Sequence, residues 1–164
     1  MAEKVALSDA SPLIGLAAAG GFGLLRHLFG TVTITATVRR EVVAGKSKPG
    51  AKEVSAAIRA GWIRVLKDPP AATPFADLDA GEATTLAAAC SLGPSCLVLM
   101  DEVCGRGQAR ALGLAVTGTA GALFVAKRRG LIPALRPFFE ALMRADFRLS
   151  TEVVRTVLED AEEL

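Results

Sequence analysis

Four acidic side chains, Asp9, Glu41, Glu82 and Asp101, stand where the chain passes from one local pattern to another. Asp9 follows Lys4-Val5-Ala6-Leu7-Ser8, whose alternation fits a short strand, and precedes Ser11-Pro12, which reads as an N-cap and first helical residue. Asp101 closes Cys96-Leu97-Val98-Leu99-Met100, a continuous apolar run of strand length. A carboxylate there is costly unless it is solvated, paired or bound to a cation. Glu41 lies one turn after Thr37, in a helix expected beyond the β-branched run Thr31-Val32-Thr33-Ile34-Thr35, and Glu82 follows Asp79 by three residues. Carboxylates brought together repel, which raises some of their pKa values unless a cation neutralises them. Mg²⁺ suits such a place, because it takes one or two carboxylates, keeps several waters and binds phosphate oxygens. Paired hard cations also assist in-line displacement at phosphorus. That chemistry needs no His or Cys nucleophile, and the only histidine, His27, lies in an apolar helical stretch far from these acids in sequence.

Each acid also has an ordinary reading. Asp9 fits a second capping residue, and Glu41, flanked by Arg39 and Arg40, fits a solvated helix face. Asp79-Ala80-Gly81-Glu82 has the spacing of a capping box, which by itself would account for both of its acids. Glu102 fits the first turn of the next helix, where an acid favours the helix dipole. The four together are more informative than any one of them, since all fall where strands end and helices begin.

The elements that must position them follow from the same patterns. Helices are expected over Ser11 to Ala19, Phe22 to Phe29, Thr37 (as cap) to Gly45, Ala51 to Ala60 with Gly61 as C-cap, and Asp79 to Leu92. Further helices are expected over Val103 to Leu112, Thr119 (as cap) to Arg129, Pro133 to Ala145, and from Thr151 onward. Between them, Trp62–Leu66 and Leu114–Thr117 read as strands, and Asp68 to Pro74 as a Pro-rich loop. Strand–helix alternation predicts a three-layer α/β/α sandwich with a mainly parallel sheet.

At 164 residues the chain reads as a single domain over 1–164, with residues 150–164 forming an acidic C-terminal helix. Its 51% hydrophobic content argues against global disorder. The apolar stretch from Pro12 to Phe29 is interrupted by Gly20, Gly21, Gly23 and Arg26-His27, so neither a signal peptide nor a membrane span is expected, and a cytoplasmic location is the default. Three cysteines, Cys90, Cys96 and Cys104, lack CxxC spacing and are expected to be reduced, two of them in the core. The net charge is only +2, but six basic residues and no acid lie between Val103 and Phe139, while the tail from Ser150 carries five acids against Arg155 alone. A modestly basic body is compatible with a polyanionic substrate and equally with solvated faces.

Some familiar motifs fail on inspection. Gly45-Lys46-Ser47 has Arg40 where a phosphate-binding loop needs glycine, and Gly105-x-Gly107 has Arg110 where a dinucleotide fingerprint needs its third. A strand-end aspartate nucleophile of the phosphatase kind wants a second Asp at the position of Ser11, and a receiver-like domain wants a lysine where Thr117-Gly118-Thr119 stands.

Asp9 with Ser11, Thr37-x-x-x-Glu41, Gly81-Glu82 on an Ala-rich helix, Leu-Met-Asp101-Glu102 and the segment from Arg110 through Thr119 to Leu123 together resemble the PIN-domain nucleases. The likeness extends to the toxin subunits of VapBC-type toxin–antitoxin pairs and more closely to their less-studied relatives, and spans about Val5 to Ser150. It implies a five-stranded parallel sheet and a Mg²⁺- or Mn²⁺-dependent endoribonuclease acting on RNA. It also implies a homodimer and a cognate antitoxin protein. By position, Asp9, Glu41, Glu82 and Asp101 match the family's acidic quartet, as both metal ligands and catalytic residues, with Asp101 favoured over its neighbour Glu102. Ser11 matches the small hydroxyl residue beside the first acid, and Arg106, Arg110 and Thr119 are the further candidate substrate contacts. The alternative is a PIN-like module that binds RNA or protein without catalysis.

Overall fold

The computed structural model describes residues 4–70, 75 and 77–164. Five strands form one sheet: β1 (Val5–Ser8), β2 (Val32–Thr35), β3 (Ile63–Leu66), β4 (Cys96–Leu99) and β5 (Ala115–Thr117). Their order is β3-β2-β1-β4-β5 and every pairing is parallel. The helices described are α1 (Ala10–Ala18), α2 (Leu24–Phe29), α3 (Ala36–Ala44), α4 (Ala51–Ala60), α5 (Ala80–Leu92), α6 (Val103–Ala111), α7 (Thr119–Arg128), α8 (Arg136–Arg144) and α9 (Thr151–Asp160). Parallel neighbours require long crossovers, and the helices in those crossovers cover both faces.

Side-chain alternation along the strands sorts the core into two layers. Ala6 of β1 and Leu99 of β4 face a cluster with Leu13 and Leu16 of α1, Leu25 of α2 and Leu123 of α7. Leu7 and Val98, their neighbours in the chain, face the opposite cluster with Leu86 of α5 and Ala109 of α6. Leu7, Leu13, Leu86 and Leu123 are completely buried, each contributing roughly 1.5–3 kcal/mol of transfer free energy. No helix among the described residues is long and apolar enough to cross a membrane.

The topology decides where a site can form. The chain lays down β1, β2 and β3 in one direction, then returns to the other side of β1 for β4 and β5. The reversal falls between β1 and β4, and ligands of open α/β sheets bind outside the strand ends at such a point. Ser8 pairs with Leu99 in register, and the Asp9 amide donates to the Leu99 carbonyl at 2.9 Å. Asp9 and Asp101 are thereby delivered to the same edge of the sheet.

Several helix starts differ from those read in the sequence. Helix α1 begins at Ala10 with Asp9 in the cap position, placing Pro12 within the first turn, where its missing N–H is tolerated. Helix α3 begins at Ala36, because Thr35 accepts from the Val38 amide; Thr37 is inside the helix and Glu41 lies beyond the first turn. Gly118, not Thr119, precedes α7. Helix α8 begins at Arg136 rather than Pro133, with Pro137 in its first turn and the Glu163 carboxylate accepting from the Leu135 and Arg136 amides. Of the cysteines only Cys96 is buried, while Cys90 and Cys104 are exposed. The Pro-rich connection to Pro74 lies partly outside the described residues.

Candidate metal centre

Asp9 occupies the cap position of α1, yet its side chain makes no capping hydrogen bond. The residue is only 4% exposed, and among the described residues its Oδ1 is the one buried side-chain oxygen or nitrogen without a hydrogen-bond partner. Such a group is expensive to leave unmatched. Burial above all, and then the charges of Asp79, Glu82 and Glu41, push the Asp9 carboxyl up to about 7. At neutral pH it is poised between its two forms.

The acids around it come from separate elements. Glu41 reaches over from α3, and burial followed by the charge of Asp79 raises its pKa. Glu82, from the first turn of α5, is raised by burial and then by Asp79, with Glu102 and Glu41 adding to the effect. The capping box expected from the sequence is present: the Glu82 amide donates to Asp79 Oδ1 at 2.8 Å, and the Asp79 amide to Glu82 Oε2 at a longer 3.4 Å. Helix α5 is held against β2 by a bond between the Thr35 and Thr84 hydroxyls at 2.9 Å, which fixes its N-terminus at the edge of the sheet. Gly81 then decides how closely the acids approach. A Cβ there would lie 2.6 Å from Glu41 Oε2 and 2.9 Å from Asp9 Oδ1, so only glycine leaves room for two carboxylates from different elements.

These groups line a cleft of about 220 Å³ with Asp9, Ser11, Glu41, Asp79, Glu82, Glu102 and Phe147 around it. The ring of Phe147 lies over Gly15 of α1, where a Cβ would come within 2.7 Å of it. Among the described residues no three or more His, Cys, Asp or Glu side chains are gathered closely enough to hold a metal ion between them. The donor set is all oxygen, with one unmatched buried carboxylate oxygen. It fits a hard, largely hydrated cation such as Mg²⁺ or Mn²⁺, held by one or two carboxylates with water completing the shell.

Asp101 is placed differently. Its Oδ1 accepts from the Thr119 amide at 2.7 Å and its Oδ2 from the Thr119 hydroxyl at 2.8 Å, so it caps α7 from across the sheet edge. It lines a second depression of about 370 Å³ with Arg106, Arg110 and Arg148. Glu102 borders both hollows. Thr119, expected among the substrate contacts, is completely buried and gives both its amide and its hydroxyl to Asp101. The structure therefore brings Asp9, Ser11, Glu41 and Glu82 into one cleft, and Asp101, Arg106 and Arg110 into its neighbour.

Three cleft or pocket residues, Asp79, Phe147 and Arg148, are not among the sequence-derived site candidates, and a fourth, Glu102, ranks there behind Asp101. Asp79 was read only as a cap, although its spacing to Glu82 put it at the same helix end. Glu102 is weighed in the sequence as the alternative to Asp101, and the structure puts it on the border of both hollows. Phe147 and Arg148 lie between α8 and α9 and carry no local pattern that marks them. A larger cavity, about 520 Å³, lies elsewhere between α2, α7 and the sheet, and is lined by none of the candidate acids.

A family model described as a PIN domain matches residues 5–163. Comparison with curated proteins gives no match. With a parallel five-stranded sheet, acids gathered at its switch point and a family match over almost its whole length, the chain belongs to the PIN-domain family, a nuclease-type fold.

Proposed function

We propose that this chain is a Mg²⁺- or Mn²⁺-dependent endoribonuclease, hydrolysing RNA phosphodiesters at the Asp9 cleft. The observation that carries the reading is Asp9 Oδ1, a buried oxygen without a partner, facing Glu41 across Gly81. Glu41 and Glu82 stand beside it as the acids that hold the ion, with the fourth carboxylate supplied by the Asp101-Glu102 pair at the end of β4. A bound divalent ion supplies charge neutralisation and activation of water for in-line displacement.

The residues of the chain do the rest. Ser11 offers a hydroxyl at the cleft wall for a phosphate oxygen. Arg106 and Arg110, joined by Arg148, present guanidinium groups in the adjoining depression, where the neighbouring phosphates of a strand would lie. Acids on one side and arginines on the other suit a substrate that brings its own negative charge to both. Within this reading the protein works in the cytoplasm as a homodimer. It is the toxin of a toxin–antitoxin pair, restrained by a cognate antitoxin, in line with its resemblance to VapBC-type toxin subunits. Growth arrest on expression of the wild type, and none from Asp9→Asn, is the expected result for that role.

The test of the activity is cleavage of a mixed structured and single-stranded RNA pool with Mg²⁺, Mn²⁺ or chelator, beside Asp9→Asn. Metal-dependent cleavage lost in the variant supports the reading. Equal cleavage by both proteins points to a contaminant and contradicts it. RNA binding without any cleavage favours the alternative, a non-catalytic PIN-like binding module.

A further inference from the structure

Asp101 and Glu102 are adjacent, and the sequence gives both a claim on the cleft. The structure gives them different partners, although Glu102 also borders the depression that Asp101 lines. Both oxygens of Asp101 already accept hydrogen bonds from Thr119, and the carboxylate belongs to the arginine-lined depression. The Arg106 guanidinium stands on the same side: a Cβ on Gly118 would lie 2.5 Å from Asp101 Oδ1 and 2.8 Å from Arg106 Nη1. A divalent cation brought to Asp101 would meet that fixed positive charge. Glu102, one residue further, caps nothing with its side chain at the start of α6 and lines the cleft that holds Asp9, Glu41 and Glu82. The cleft itself is marked as a ligand site by Asp9 Oδ1, unpartnered in a residue only 4% exposed.

We propose that Glu102, rather than Asp101, is the carboxylate from the end of β4 that faces the divalent ion, while Asp101 serves as the cap that holds α7. This rests on the metal-dependent reading above and specifies which residue of the pair performs it. The division follows from what each acid meets: Asp101 turns both oxygens to Thr119, whereas Glu102 borders both hollows and is the one of the pair that reaches the Asp9 cleft.

The test is a Mn²⁺ titration of the full chain followed by electron paramagnetic resonance, reading the loss of the free-ion signal, for the wild type, Glu102→Gln and Asp101→Asn. Metal-free melting temperatures are recorded alongside. Glu102→Gln is expected to melt like the wild type and to bind Mn²⁺ about tenfold or more weakly, since ligand charge sets affinity at such sites. Asp101→Asn is expected to melt at lower temperature while its Mn²⁺ affinity stays within about threefold of the wild type. Thr119→Val, which removes one donor to Asp101 and keeps both acids, provides the same measurement should Asp101→Asn not fold. Wild-type affinity in Glu102→Gln, or loss of Mn²⁺ binding in a folded Asp101→Asn, overturns the assignment. A wild type that takes up no Mn²⁺ overturns the metal reading and the assignment with it, and is thereby distinguished from failure of the assignment alone.

Discussion

Asp9 and Asp101 hold equivalent places, each just beyond one of two neighbouring parallel strands at the point where the sheet order reverses. Their surroundings are opposite. Asp101 has a donor on each oxygen, both from Thr119. Asp9 has none on Oδ1, three acids in electrostatic reach, and a carboxyl pushed up to about 7. Asp68, beyond β3, repeats the Asp101 arrangement at α3: it accepts from the Thr37 amide at 2.9 Å and the Thr37 hydroxyl at 2.7 Å, with Arg40 beside it. Partial burial works upward on Asp68, but the Thr37 hydrogen bonds outweigh it and hold its carboxyl below the usual range. Strand-end position thus delivers an acid to the crevice, and the donors it meets there decide whether it becomes a cap or stays available to a ligand.

The comparison can be broken most forcefully at Asp9. Asp9→Asn is expected to lower metal-dependent RNA cleavage at least about 100-fold, the scale for losing one preorganised charge at a reacting centre. In the absence of metal the same substitution should stabilise the fold at pH 8, by on the order of 3 kcal/mol, because it removes a buried carboxylate. Chemical denaturation checks that sign, and a destabilised variant would mean that Asp9 has protein partners after all.

The pH dependence follows from the same group. The folded chain keeps the Asp9 proton up to about pH 7, whereas the unfolded chain releases it near the ordinary aspartate value of 3.8. Between those values the folded state binds more protons, so metal-free stability falls as pH rises through the window and levels off above it. Melting curves from pH 5 to 8 are expected to show this decline in the wild type and a much flatter profile in Asp9→Asn.

Asp101→Asn is expected to destabilise the fold by about 1–2 kcal/mol through weakened capping of α7. Opposite signs for the two aspartates at pH 8 would sharpen the contrast, and equal signs would remove it. Gly81→Ala should fold and melt within a few degrees of the wild type, because the Glu41 side chain can swing away. It is expected to weaken Mg²⁺ binding several-fold by calorimetry, as the added methyl keeps Glu41 and Asp9 apart. The smallest effect is expected at Arg106→Ala, which should reduce the salt slope of RNA binding by about one unit in a filter-binding series.

Much of this was legible in the sequence where the signal is local. The apolar run before Asp101, the β-branched run before α3 and the Asp79-to-Glu82 spacing each reflect interactions within a few residues, and the sheet and capping box appear where those patterns put them. Three features depended on distant parts of the chain. The cap of α3 moved to Thr35 once Asp68 engaged Thr37 from beyond β3. The start of α8 moved because Glu163, near the end of the chain, satisfies its first amides. The different placements of Asp101 and Glu102 depend on Thr119, eighteen residues onward, and no spacing rule within the strand could supply that.

If the unmatched Asp9 oxygen makes its cleft a divalent-cation site, as proposed, the folded chain gains stability from the ion. The most direct measurement is the melting temperature of the wild type and Asp9→Asn at pH 7.5 across a Mg²⁺ series. The wild-type melting temperature is expected to climb with the logarithm of Mg²⁺ concentration, as binding to the folded state requires, and the variant is expected to give a flat response. A wild type that does not respond, or a variant that responds equally, would contradict the proposal.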